Sequence, residues 1–91
     1  MRPKFELGQI VATPAALESL RESGQDGSEF LNRHVRGDYG EMPAEDVAAN
    51  DEAIRDGARL MSAYTTLNGK RIWVITEADR SVTTLLLPED Y

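Results

Sequence analysis

Cysteine is absent from the 91 residues, which excludes disulfides, thiol nucleophiles and thiolate metal sites. Histidine occurs once, at His34, so neither a two-histidine zinc site nor a histidine dyad can be assembled. No apolar run approaches the length that crosses a bilayer, so no membrane partner is expected. The start, Met1-Arg2-Pro3-Lys4-Phe5-Glu6-Leu7, turns polar before an apolar segment can develop, unlike a secretory leader. With the missing cysteine this gives a cytoplasmic expectation. Neither G-x-G-x-x-G nor a phosphate-loop pattern is present, and the acids lack D-x-D-x-D-G spacing. No metal, nucleotide or other cofactor is expected, and no catalytic residues stand out. Repeats and low-complexity segments are also missing, and the length fits a single domain over residues 1–91.

Positive charge is scarce: ten bases stand against sixteen acids, a formal charge of −6. Such a chain repels phosphate backbones, so direct nucleic-acid binding is not expected. Seven acids fall between Asp38 and Asp56 (Asp38, Glu41, Glu45, Asp46, Asp51, Glu52, Asp56), with Arg55 the one base among them. Two readings compete. The acids form a solvated face that keeps the protein dispersed, or they form a surface offered to a basic partner and mimic nucleic-acid charge.

The pattern of residues predicts an α+β fold: a short N-terminal strand, three helices, then a three-stranded antiparallel β-meander. Gln9 to Ala12 is β-branched and reads as a strand. Thr13-Pro14 reads as a cap and first helical residue, with an apolar stripe at Ala16, Leu17 and Leu20 and a stop at Gly24. Ser28 is the expected cap of a second helix reaching Val35 or Arg36, its buried face being Phe30, Leu31, His34 and Val35. Pro43 opens a third, with Glu45 and Asp46 in its favourable first turn and Gly57 at its end. Val47, Ala48, Ile54 and Ala58 are its expected inward residues.

Asn68-Gly69 between Leu60–Thr66 and Lys70–Glu77 predicts a hairpin with a two-residue type I′ loop. That register sets Tyr64 opposite Trp73, Ala63 opposite Val74 and Thr65 opposite Ile72. One face of the sheet then carries Met61, Ala63, Thr65, Ile72, Val74, Leu85 and Leu87. The other carries Leu60, Tyr64, Trp73, Ile75, Val82 and Leu86. A sheet wet on one side alternates apolar with polar residues, so this second face is expected to be covered by the chain's own helices, a second copy or a partner.

Residues expected to meet a partner are the acids Asp38, Glu41, Glu45, Asp46, Asp51 and Glu52, and the aromatics Tyr39, Tyr64 and Trp73. The turn residues Glu77, Asp79 and Arg80 join them. For Glu77-Ala78-Asp79-Arg80-Ser81 two readings stand side by side: acid–base groups with an anion clamp, or a turn in which Asp79 folds back onto backbone N–H groups. His34, beside Phe30 and Leu31, reads as a core-edge residue rather than a catalytic one.

Arg33-His34, Gly37-Asp38-Tyr39-Gly40, Leu60-Met61-Ser62-Ala63-Tyr64 and the run from Ile72 to Tyr91 carry a resemblance. The chain resembles the small "plasmid-related" proteins of bacterial plasmids, prophages and conjugative elements. Their pattern is G-D-W-G followed by W-x-I-T-E-A-D-R-S-x-T-T-x-L-L-P and an acidic residue before a tyrosine. Tyr39 departs from it, standing where tryptophan is expected. The resemblance implies a mobile-element accessory and carries no chemistry with it. The expected function is a non-catalytic interaction module whose partner is a protein with a basic, nucleic-acid-binding surface. Its sharper form is an inhibitor of a host defence complex, of the anti-CRISPR or anti-restriction type. The alternatives are a relative of RelE-like ribonuclease toxins, disfavoured because those are basic, and a homodimeric structural or regulatory subunit.

Overall fold

A computed structural model describes residues 3–91; Met1 and Arg2, the start of the polar opening, lie outside it. The element order is β1 (Gln9–Ala12), α1 (Pro14–Ser23), α2 (Gly27–Val35), α3 (Ala44–Asp56), β2 (Leu60–Thr65), β3 (Arg71–Thr76), β4 (Val82–Leu86) and a closing 3₁₀ turn, Pro88–Asp90. The α+β composition and the order of elements are those expected. The sheet is not. It has four strands in the order β1-β4-β3-β2, and β1 joins it parallel to β4. The antiparallel meander β2-β3-β4 is therefore extended into a mixed sheet.

Local chemistry sets the helix ends. Thr13 Oγ1 accepts the Ala16 N–H at 3.1 Å, with Pro14 in the first turn. The cap of α2 is Asp26 and not Ser28: Asp26 Oδ1 accepts the Ser28 N–H at 3.0 Å. Both residues are good caps, and the Gly24-Gln25 turn that precedes them brings Asp26 into place. Helix α3 has no side-chain cap and starts with Glu45 and Asp46 in its first turn. Its inward residues are Asn50 and Ala53, with Val47 and Ile54 half-buried, while Ala48 and Ala58 are exposed.

The hairpin loop has three residues. The Thr66 N–H donates to the Lys70 carbonyl at 2.7 Å, and the Gly69 N–H donates to the Thr66 carbonyl at 3.0 Å. Gly69 takes φ 84°, the left-handed residue that follows a type I turn in such a loop. Thr66 adds the reason for this choice, since its hydroxyl oxygen accepts the Lys70 N–H at 3.0 Å and also pairs with Asn68 Oδ1 at 2.5 Å. The register moves by one residue: Ala63 lies opposite Trp73, Tyr64 opposite Ile72 and Thr65 opposite Arg71.

A one-residue slip exchanges the faces of a strand, and that is the correction needed on β2. Leu60, Ser62 and Tyr64 join Ile72, Val74, Thr76, Thr83 and Leu85 beneath α1 and α2. Met61 and Ala63 lie on the far side with Trp73, Ile75 and Leu86. The main core joins Ala16, Leu20 and Phe30 to Tyr64, Ile72, Val74 and Leu85. A smaller cluster sits where α3 meets the sheet: Tyr39, Ala53 and Leu60, with Phe5, Met42, Val47 and Ile54 against them.

On the far face, Ile75 and Leu86 are buried within the single chain. The closing 3₁₀ turn packs against β3, and Tyr91 sets its ring edge-on to Trp73 at 5.7 Å. Arg59 Nη1 donates to the Tyr91 hydroxyl at 2.9 Å. The chain's own C-terminal turn covers part of this face, α3 borders it, and Met61 and Trp73 stay half-buried.

The edge of β2 is also closed. The Asn50 side-chain amide spans Met61, donating to its carbonyl at 2.8 Å and accepting its N–H at 3.2 Å. Beyond it, the Ala63 N–H donates to the Tyr39 carbonyl at 3.2 Å, and the Glu41 N–H donates to the Ala63 carbonyl at 2.7 Å. With that edge occupied, β4 offers the remaining free edge, and β1 takes it.

Candidate interaction surface

The residues expected to meet a partner separate into three groups once placed on the fold. The first is structural. Tyr64 is only 1 % exposed, its ring 5.3 Å from that of Phe30 and its hydroxyl donating to the Asp38 carbonyl at 2.6 Å. It offers no surface to a partner, and burial pushes its hydroxyl pKa well up. Tyr39 is buried beside His34, with burial raising its pKa as well.

Arg80 is the clearest reassignment. Its guanidinium donates to four carbonyls: Ala53 at 2.9 Å, Ala58 at 2.6 Å, Ala78 at 3.0 Å and Glu77 at 3.2 Å. It closes the C-terminal end of α3, where unpaired carbonyls attract a cation, onto the β3–β4 turn. Its backbone sits at φ 61°, which a non-glycine residue adopts at some strain. An anion clamp needs a free fork, and this one is engaged. Arg80→Ala is expected to lower unfolding stability by about 2 kcal/mol, the net value of a few charge-assisted hydrogen bonds offset by relief at φ. Urea denaturation reads this directly, and an unchanged midpoint would show that water replaces the clamp.

The second group is exposed but tied locally. Asp38 accepts from Arg33 Nε at 2.7 Å and from the Gly40 N–H at 3.1 Å. The Arg33 contact, chiefly, holds its carboxyl below the usual range. Glu41 accepts from the Thr65 hydroxyl at 2.7 Å and pairs with Arg71 at 3.4 Å. Asp79 accepts both the Ser81 hydroxyl at 2.6 Å and the Ser81 N–H at 3.0 Å, the self-contained turn of the second sequence reading. Both contacts lower its pKa.

The third group is the outer surface of α3. Glu45, Asp46, Asp51 and Glu52 are exposed, as is Asp56. Among the described residues, none of these five carboxylates has a cation within 4.0 Å. At 1.5 Å per residue the helix spreads them along roughly 16 Å. Asp46 also borders a cleft shared with Glu41, Arg71 and half-buried Trp73. Glu77 is exposed, and its carbonyl shares Arg80 Nη1 with that of Ala58, just beyond the C-terminal end of α3.

Sequence reading passed over a buried polar chain. Ser62 Oγ lies 2.5 Å from His34 Nδ1, and Thr76 Oγ1 lies 3.0 Å from His34 Nε2. Thr76 and Thr83 hydroxyls are 2.7 Å apart, and Thr83 donates to the Leu7 carbonyl at 2.6 Å. A carbonyl only accepts, so the direction of the chain follows as far as Nε2. Thr83 accepts from Thr76, and Thr76 accepts from Nε2–H, so Nε2 carries a proton. Desolvation lowers the His34 pKa from 6.5 to about 4, so at neutral pH the ring is uncharged and Nδ1 accepts from the Ser62 hydroxyl. The signal in the sequence was two threonines at inward positions of adjoining strands, which Ser62 joins only in the correct register of β2.

Among the described residues no group of three or more histidine, aspartate or glutamate side chains is placed to hold a metal ion. None of the described helices is long and apolar enough to cross a membrane. No family model, no curated protein and no solved structure shows a significant match to the chain.

Proposed function

We propose that this protein is a non-catalytic, acidic interaction module of a mobile genetic element, acting in the cytoplasm. Its partner is a protein whose basic surface normally meets nucleic acid, and α3 meets that surface in place of phosphate. In its sharper form the module inhibits a host defence complex of the anti-CRISPR or anti-restriction type. The mobile-element setting rests on the sequence resemblance alone.

The observation that supports the reading is the α3 surface, with five exposed carboxylates and no cation paired to them among the described residues. Carboxylates committed to local ion pairs have little charge left for a partner, as Asp38 and Glu41 illustrate. Free ones keep their full field, which steers association and is screened beyond about 8 Å at physiological ionic strength.

The test begins with proteins captured from a host that carries the element. Reversal of Glu45, Asp46 and Glu52 to lysine is expected to slow association by at least about tenfold at low salt while shifting thermal stability little. Wild-type association should fall steeply with added salt, and the variant's should not. A triple variant that associates normally with the captured protein would show that α3 is only a solvated face.

A further inference from the structure

The two edges of the sheet are finished differently. On β2 the outward N–H and C=O groups of Met61 and Ala63 are taken by Asn50, Tyr39 and Glu41. On β1 none of the described residues takes them. The Gln9 N–H donates to the Ser81 carbonyl at 2.9 Å and the Thr13 N–H to the Leu85 carbonyl at 3.0 Å, so the odd-numbered residues face β4. In a parallel ladder the alternate residues point their backbone groups away, and here those are Ile10 and Ala12. The strand carries neither lysine nor proline, two common guards of an exposed edge.

The side chains beside this edge are apolar. Ile10 is 44 % exposed, Val11 37 % and, from α1, Leu17 57 %. Ile10 borders two grooves at once, one floored by Phe5, Leu7 and Val35, the other by Leu17, Leu31 and Leu85. Both grooves are lined from α2, by Val35 and by Leu31, so they follow one another along the helix-covered face of the sheet, where residues i and i+2 of an added strand would point. Among the described residues bordering the grooves, the charged ones are Glu6 on the first and Asp26 on the second.

We propose that β1 docks an extended segment of another protein as a fifth strand, apolar side chains entering the two grooves and lysine or arginine meeting Glu6 and Asp26. Charge selects this occupant over a second copy. A copy would bring the same two carboxylates and a further −6 to the seam, whereas a basic segment complements them. The surface is separate from α3, so a protein can be held at both.

The probe is a displayed library of peptides of about ten residues, apolar at alternate positions with lysine, arginine or threonine between, against a library interrupted by proline. Enriched peptides are expected to bind purified wild-type protein and to shift the amide resonances of Ile10 and Ala12. Ile10→Pro removes one outward N–H at a position where an edge strand tolerates proline, and should weaken binding by about tenfold or more. Ile10→Lys, which leaves the backbone intact, should do the same if the proline variant proves unstable. Reversal of Glu45, Asp46 and Glu52 should leave peptide binding unchanged, which separates this surface from the reading of α3. The proposal is overturned if no peptide is enriched over the proline library, or if the shifts map away from β1. It is equally overturned if sedimentation shows wild-type dimers that Ile10→Lys dissociates, since the occupant would then be a second copy.

Discussion

Gly40→Ala is expected to destabilise the domain by about 3 kcal/mol or more, a large share of the total stability of so small a fold. Gly40 holds φ 71°, where a side chain is strained whatever space surrounds it. Space is also lacking. An added Cβ would press into the Ala63 carbonyl oxygen and the Tyr64 ring. That carbonyl already accepts the Glu41 N–H at 2.7 Å, in the bridge that closes the edge of β2. Neither obstacle can swing aside, one being backbone and the other a core ring anchored through its hydroxyl. Gly57 is the control, because it has φ 74° and nothing within 4 Å of its missing Cβ. Gly57→Ala should therefore show the conformational penalty alone, about 1 kcal/mol. Equal losses for the two variants in urea denaturation would mean that the bridge to Ala63 contributes nothing.

Acid should weaken the fold well above the pH at which its carboxylates titrate. The folded pKa of His34 is about 4 against an ordinary value of 6.5, because burial disfavours the charged ring. Between those values the unfolded chain binds the proton and the folded chain does not. Stability is therefore complete above pH 6.5 and falls as pH drops toward 4. The size is about 3 kcal/mol, since each pH unit between the folded and unfolded values is worth about 1.4 kcal/mol. The ring has two hydroxyl partners and lies against Phe5 and Tyr39, and no carboxylate contacts it to rescue the charge. Asp38, Asp79 and Asp90 have lowered pKa values, so what they contribute is present at neutral pH and is lost only below the ordinary carboxylate range. Thermal melts across this range should show the loss in wild type and a flatter profile in His34→Gln. The glutamine variant starts lower at pH 7, since it cannot span both Ser62 and Thr76 as the ring does. Identical pH profiles for the two proteins would place the acid sensitivity elsewhere.

The expected loop length and the expected strand register failed together, from one cause. Asn68-Gly69 identifies a hairpin but is compatible with two loop lengths. The longer loop was selected by Thr66, whose hydroxyl bonds the Lys70 N–H across the turn. Leu60 to Thr65 could not arbitrate, because Leu60-Ser62-Tyr64 and Met61-Ala63-Thr65 are each partly apolar. Arg80 failed differently. A lone arginine in an acidic turn looks free in one dimension. Only the approach of α3 brings the carbonyls of Ala53 and Ala58 to its guanidinium.

Residue chemistry along the chain was enough to place all three helices and four strands, because caps, prolines, glycines and periodicity act over a few residues. It also fixed the far-side positions of Trp73, Ile75 and Leu86, since alternation along one strand is local. The tertiary structure alone decided how strands pair, which edge is closed and which carboxylates stay free. Asn50 blocks β2 from a helix eleven residues away in sequence, and β1 reaches β4 across some seventy residues. Such contacts depend on how elements pack against one another, and no local pattern records that. The same packing separates the carboxylates, tying Asp38 and Glu41 to arginines from other elements while leaving those of α3 in water.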